Sequence, residues 1–267
     1  MKSIKQLMDL TGRTALVTGG AGHIGMAFCE TLAEAGASVA VLDIDPARTE
    51  ECATRLTSQY GVKAMGLAID LADTDAVIAA PAQVAGALGG LGILVNCAGF
   101  VGTSGLSGWV TPFEGQSVDT WRAALEVNLT APFALIQAAT PLLRASGHGS
   151  VVNIGSTYGV VGPDMSLYEG TAMGNPAAYA ASKGGLTQLT RWLATTLAPD
   201  IRVNCISPGG VERGQPDPFV KRYVARTPLA RMGTEEDMKG ALLYLASDLS
   251  AYVTGQNLLV DGGWTAW

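Results

Sequence analysis

The sequence predicts a doubly wound α/β fold: a parallel sheet of about seven strands with helices on both faces, in one domain spanning residues 1–267. Three observations predict it. Apolar strand-like runs alternate with helix-like segments along the chain. Most of those runs are continuously apolar, as strands buried on both faces are. Glycines cluster directly after several runs, where an open α/β sheet meets its ligands.

In chain order, the strands are expected at 14–18, 38–43, 64–70, 93–96, 150–155, 202–207 and 257–261. After the first, Ile24, Phe28, Leu32 and Ala35 recur at helical spacing, and Gly36 is placed to end that helix. A second long helix is expected over 177–198, stopping before Pro199. Two irregular, glycine-rich stretches, 100–116 and 160–176, are read as substrate loops, with 212–231 as a third.

Composition narrows the classes of function. Apolar residues make up 48% of the 267 and charged residues only 15%, which excludes a disordered chain. The 17 basic and 23 acidic residues give a formal charge of −6 without a basic stripe, so nucleic acid is not an expected partner. No stretch reads as a signal peptide or a membrane span, and the cytoplasm is the expected compartment. Cys29, Cys52, Cys97 and Cys205 lie in or beside apolar elements without metal-ligand spacing, so no metal is expected.

The first strand runs into Thr18-Gly19-Gly20-Ala21-Gly22-His23-Ile24-Gly25 and then a helix. Glycines let a backbone turn sharply and approach a pyrophosphate, and the following helix offers free N–H groups to it. Asp43 ends the second strand, where a carboxylate accepts from the ribose hydroxyls of NAD and repels a 2′-phosphate. NAD is therefore expected over NADP, with Arg48 the nearest downstream base; the alternative is that Asp43 only caps a turn with Asp45-Pro46. Asp70, flanked by Leu71, could meet the adenine or cap the next helix. The small residues after the fourth strand, in Asn96-Cys97-Ala98-Gly99, leave room for the adenosine.

Tyr179 and Lys183 stand four residues apart, on one face of the 177–198 helix. A phenol with an ordinary pKa of about 10 exchanges protons poorly at neutral pH, and a neighbouring ammonium lowers it. Ser156, just past the fifth strand, could hold a carbonyl or hydroxyl oxygen beside Tyr179. Asn128, in a long helix before that strand, could hold a water leading to Lys183. On these motifs, with Ser207-Pro208-Gly209 and Val260-Asp261-Gly262-Gly263, the chain resembles the short form of the short-chain dehydrogenase/reductase family over nearly its whole length.

That resemblance implies a Rossmann sheet and an Asn128–Ser156–Tyr179–Lys183 catalytic tetrad. It implies cofactor contacts from Gly19, Gly22, His23, Ile24, Gly25, Asp43, Asp70, Leu71, Asn96, Ala98 and Gly99. Tyr179, Lys183, Pro208, Gly209 and Val211 would reach the nicotinamide side. A hydride would pass between NAD(H) and a secondary alcohol or ketone while Tyr179 moves the proton. A homotetramer or dimer would be the assembly.

Three positions depart from the family pattern. His23 replaces the middle glycine, giving a spacing like that of the sugar-nucleotide branch. The Ser156–Tyr179 gap is long; Tyr168 falls nearer the usual spacing, but Ala172 stands where its lysine should be, so Tyr179 is assigned and Tyr168 becomes a substrate-loop residue. Glu212-Arg213 follows Val211 where a threonine is common. Arg213, Lys221, Arg222, Arg226 and Arg231 could grip an anion or simply face water. Asp164, Ser166, Tyr168, Glu169 and Thr171 suit a sugar, polyol or sugar-derived substrate. The other readings are a sugar-nucleotide epimerase or dehydratase and a non-catalytic NAD-binding regulator. The terminal Trp264 and Trp267 suggest a surface buried by a partner subunit.

Overall fold

The computed structural model describes residues 1–101 and 104–267; Gly102 and Thr103, within the 100–116 loop, lie outside the described residues. A short helix, α1 (Ile4–Met8), precedes the first strand β1 (Thr14–Thr18). Then follow α2 (His23–Glu34), β2 (Ser38–Asp43), α3 (Pro46–Tyr60), β3 (Ala64–Ala68), α4 (Thr74–Leu88) and β4 (Ile93–Asn96). The second half runs α5 (Val118–Leu125), α6 (Ala131–Ala145), β5 (Gly149–Ile154), α7 (Ala177–Leu197), β6 (Ile201–Pro208), α8 (Asp217–Ala225), α9 (Glu236–Ala246) and β7 (Asn257–Val260).

The seven strands form one parallel sheet in the order β3-β2-β1-β4-β5-β6-β7. Side chains alternate between its faces, as the period of two requires. On one face Ala15, Val17, Val39, Val41, Ile93 and Val95 pack with α2, α3 and α9. On the other, Leu16, Ala40, Leu42 and Leu94 pack with α4, α6 and α7. Both faces being covered explains why the strands read as unbroken apolar runs. Phe28 and Leu32 are fully buried. Each contributes about 1.5–3 kcal/mol by leaving water, and together they fix α2, whose first turn carries the glycine loop.

The winding reverses between β1 and β4, which leaves a crevice beyond their carboxyl ends. β3 stops at Ala68, short of the expected 70: the Ile69 N–H makes the last rung, to the Asp43 carbonyl, and the chain then turns where Asp70 accepts the N–H groups of Ala72 and Asp73. Gly36 follows α2 with φ +97°, and a Cβ there would meet the Thr11 hydroxyl at 2.6 Å, so glycine is required. No helix among the described residues is long and apolar enough to cross a membrane.

Candidate active site

β1 delivers the glycine loop to the crevice. Gly22 is the N-cap of α2 and no side chain caps that helix, so its first N–H groups face outward for an anion. The loop is tightly closed on itself: a Cβ on Gly25 would lie 1.9 Å from the Gly19 carbonyl oxygen, and one on Gly19 would lie 2.8 Å from Ala98 Cα. The Thr18 hydroxyl accepts the N–H groups of Cys97 and Ala98 at 3.1 and 3.2 Å, tying the loop after β4 to the end of β1. Ile24 packs into the core below the loop. His23 is exposed, and its ring lies 3.8 Å from Glu235.

Asp43 does not act as a turn cap for Asp45-Pro46. Asp45 caps α3 itself, accepting the N–H groups of Ala47 and Arg48. The Asp43 carboxylate accepts the Ala21 N–H at 3.1 Å and the Ile44 N–H at 2.8 Å, which aims it at the glycine loop. Arg48 donates to the Ala21 carbonyl from the other side. Asp70 is exposed and accepts the Ala72 N–H; α4 is capped by Asp73, which overturns the reading of Asp70 as that cap. Leu71 is buried behind it. Asn96 is buried, and its amide donates to the Asn153 side chain at 2.8 Å, within the sheet.

At the end of β5, Ser156 is buried, with its hydroxyl beside the Tyr179 phenol. Burial raises the Tyr179 phenol above its ordinary value, and the Ser156 hydrogen bond and the Arg213 charge pull it partly back. The expected lowering by Lys183 is not found: desolvation dominates, and Ser156 and Arg213 are the groups that oppose it. Lys183 is buried, its Nζ donates to the Ile154 carbonyl at 2.8 Å, and it lies 5.9 Å from the Tyr179 ring centroid. Burial lowers its pKa, so the ammonium is held near Tyr179 at an electrostatic cost. Burial pushes the Cys97 thiol up to about 12, which leaves it inert at neutral pH.

Asn128 sits in a π-helical turn (Glu126–Thr130) that joins α5 to α6, not in regular helix. Such turns recur at functional sites because they redirect one side chain. Its Oδ1 accepts the Phe100 N–H at 2.7 Å, and its Nδ2 donates to the Phe100 carbonyl and the Ser182 hydroxyl, each at 3.1 Å. Ser182 in turn donates to the Tyr179 carbonyl at 2.9 Å. Both amide hydrogens are thus engaged, and Asn128 locks the loop after β4 to the helix bearing Tyr179. A Cβ on Gly99 would come 3.0 Å from Asn128 Oδ1 and 3.4 Å from Lys183 Nζ, so these three residues converge.

The loops correct several expectations. Arg213 pairs with Glu235, Arg226 with Asp164 and Arg231 with Asp237, while Arg222 donates to the carbonyls of Leu167 and Glu169. Four of the five bases therefore bind their own chain instead of converging as an anion grip; Lys221 is exposed. Asp164 holds Ser166, and the Thr171 hydroxyl donates to the Tyr168 carbonyl, so this loop's short polar side chains serve its own turns. Tyr168 is buried against Phe219, 5.4 Å between centroids, and donates to the Tyr158 hydroxyl. Trp264 is buried within the chain and stacks on Tyr223, while Trp267 is exposed.

Some site residues carry no sequence signal. Gln116 Oε1 accepts the Ala177 N–H at 3.1 Å and so fixes the start of α7. Trp109 is buried beside Tyr179 and donates to the Val101 carbonyl at 2.8 Å. Tyr223 packs under Gly210, where a Cβ would meet its ring at 2.8 Å, and so backs the segment after Pro208 and Gly209. Val211 is anchored by a bridge to Gly233. These positions come from separate loops, and no spacing rule links them.

The arrangement offers an open helix N-terminus for a diphosphate, a fixed carboxylate for ribose, and a phenol–hydroxyl–ammonium group for proton transfer. The residues present fit a dinucleotide. Among the described residues, no group of three or more His, Cys, Asp or Glu side chains is placed to hold a metal ion.

Comparison with known proteins agrees with that chemistry. A family model described as enoyl-(acyl carrier protein) reductase matches residues 19–265. The 2,5-dichloro-2,5-cyclohexadiene-1,4-diol dehydrogenase of Sphingobium indicum is 33% identical, over 96% of this chain and 97% of that one. A gluconate 5-dehydrogenase from Burkholderia cenocepacia, solved with NADP and tartrate, is 31% identical with a TM-score of 0.88, covering 99% of this chain and 100% of that one. An NAD+-bound xylitol dehydrogenase is 30% identical with a TM-score of 0.84, covering 95% and 99%. With a seven-stranded Rossmann sheet and relatives that are dehydrogenases of alcohols, diols and sugar acids, the chain belongs to the short-chain dehydrogenase/reductase family, an oxidoreductase acting on CH–OH groups.

Proposed function

We propose that the protein is an NAD-dependent dehydrogenase that interconverts a secondary alcohol and its ketone on a small, oxygen-rich substrate such as a polyol, sugar derivative or ring diol. The meeting of Ser156, Tyr179 and Lys183 beyond the end of β5 carries this reading. The bound nicotinamide supplies or takes the hydride. Ser156 holds the reacting oxygen and Tyr179 exchanges its proton, accepting it in oxidation and returning it in reduction. Lys183 stabilises the phenolate, and Asn128 keeps the Tyr179 helix in register.

Gly19, Gly22, His23, Ile24 and Gly25 would receive the diphosphate, and Asp43 the ribose hydroxyls. Asp70 and Leu71 would flank the adenine, and Asn96, Ala98 and Gly99 would back the adenosine. Pro208, Gly209 and Val211 would line the nicotinamide side. The Asp43 carboxylate, held by two backbone N–H groups, supports NAD over NADP. We also infer one catalytic domain acting as a cytoplasmic homo-oligomer, a tetramer or dimer. The exposed Trp121, Phe133 and Trp192 on consecutive helices support an interface there, and light scattering at working concentration returning a monomer mass rejects it.

The functional test is cofactor-coupled turnover against polyols, sugar acids, ring diols and simple alcohols, with NAD and NADP in parallel. NADH formation with an oxygen-rich alcohol is expected. Turnover with NADP alone overturns the cofactor assignment. Activity confined to apolar ketones or steroids overturns the substrate class.

A further inference from the structure

Beside the proton-transfer group lies a chain of hydrogen bonds that the reaction as described does not use. Tyr158 stands two residues after Ser156, and its main-chain N–H donates to the Ser156 hydroxyl at 3.1 Å. Its phenol is half-buried beside the Tyr168 hydroxyl and Trp264, whose ring is perpendicular to it with centroids 6.0 Å apart. Tyr168 donates to the Tyr158 oxygen at 2.9 Å. The Asn175 side chain lies beside the Tyr168 hydroxyl, and its own carbonyl oxygen is buried with no partner.

The direction of this chain follows from its members. The Tyr168 hydroxyl is the donor of the pair, so its proton points to Tyr158. The Tyr158 oxygen accepts that proton. Its own O–H hydrogen then has no protein acceptor among the described residues. Accepting a hydrogen bond polarises a hydroxyl and strengthens its own O–H as a donor. Burial, with Tyr168, Tyr223 and Tyr179 close enough to add to it, keeps the Tyr158 phenol protonated at every working pH. A fixed donor therefore stands on the same turn as the residue that holds the reacting oxygen.

We propose that Tyr158 is a specificity-determining residue that donates a hydrogen bond to a second oxygen of the substrate, close to the carbon that reacts. Tyr168 and Asn175 are positioning residues that act through Tyr158. This rests on the dehydrogenase reading and narrows it: the preferred substrates are secondary alcohols with a nearby second hydroxyl or carbonyl. It also gives the 160–176 insertion a purpose, since Tyr168 and Asn175 both belong to it. A site built to hydrogen-bond a substrate oxygen discriminates strongly against the analogue that lacks it.

The test compares matched pairs, cyclohexanol with cyclohexane-1,2-diol and 2-butanol with 2,3-butanediol, in the wild type, Tyr158→Phe and Tyr168→Phe. The wild type is expected to favour the diols. In Tyr158→Phe the diol-to-mono-ol ratio of kcat/KM falls about tenfold or more, chiefly through the diol KM. In Tyr168→Phe it falls about threefold in the same sense, and this variant carries the test if Tyr158→Phe does not fold. A ratio within twofold of the wild type, or an equal loss on both members of each pair, overturns the proposal and leaves the dehydrogenase reading standing. A wild type that oxidises neither member of either pair overturns the proposal together with the substrate class on which it rests.

Discussion

The glycine-loop end of the cleft is made of backbone and small residues, whereas the end past Ser156 is made of side chains from several separate segments. At the first end, Gly19, Gly22 and Gly25 shape the loop, the open N-terminus of α2 supplies donors, and Asp43 and Arg48 hold the loop from its two sides. At the second, Tyr158, Tyr168, Asn175, Tyr223 and Trp264 interlock through ring contacts and hydrogen bonds. Backbone recognition suits a ligand that stays the same, and side-chain recognition suits one that differs between relatives. Asn128 belongs to neither end: it joins the loop after β4 to the helix bearing Tyr179.

Four substitutions test whether the two ends are separate devices. Gly25→Ala has the largest expected effect, because its Cβ would strike the Gly19 carbonyl, a backbone atom that cannot yield cheaply. It should cost about 1–3 kcal/mol of stability and nearly all dinucleotide affinity, read by thermal melting and NADH fluorescence titration. Asn128→Ala should cost about 2 kcal/mol, since it leaves the Phe100 N–H and carbonyl without their partner. Denaturant unfolding measures that loss, and turnover should fall along with it.

Asp43→Ser should move the NADH-to-NADPH affinity ratio about tenfold toward NADPH, roughly 1.4 kcal/mol. Arg48 already stands beside Ala21, ready for a 2′-phosphate once the carboxylate is gone. Arg222→Ala has the smallest expected effect. It removes the strap on the carbonyls of Leu167 and Glu169, which should raise substrate KM about threefold, a loss of roughly 0.7 kcal/mol. NADH affinity should hold within twofold. If NADH affinity fell with KM, the two ends would not be separate devices.

How much of this was legible follows the same divide. The five inner strands were readable because both their faces are covered, and the glycine loop and Asp43 because backbone recognition leaves a local motif. Lys183 was readable because one helix turn links it to Tyr179. Asp70 was misjudged as a strand end, because nothing local marks Ile69 as the last rung before the turn that Asp70 makes with Ala72 and Asp73. The basic cluster of 212–231 read as either an anion grip or a solvated face because its acceptors, Asp164, Glu235 and Asp237, lie apart from it in sequence. Trp264 read as an interface residue because its partner, Tyr223, is 41 positions upstream. Tyr158, Gln116 and Trp109 gave no signal, since each acts only through a contact that the tertiary fold creates.

The central claim is that Tyr179 moves the proton, and its most direct test is the pH dependence of alcohol oxidation in the wild type and Tyr179→Phe, with NADH binding followed in parallel. Burial raises the phenol's pKa, and oxidation uses the deprotonated form. The wild-type rate should therefore keep climbing above neutral pH, about tenfold per pH unit while the phenol is still mostly protonated. Tyr179→Phe should lose about 10²–10⁴-fold in kcat, show no such climb, and bind NADH within a few-fold of the wild type. A variant that keeps both its turnover and the wild-type pH profile would contradict the account.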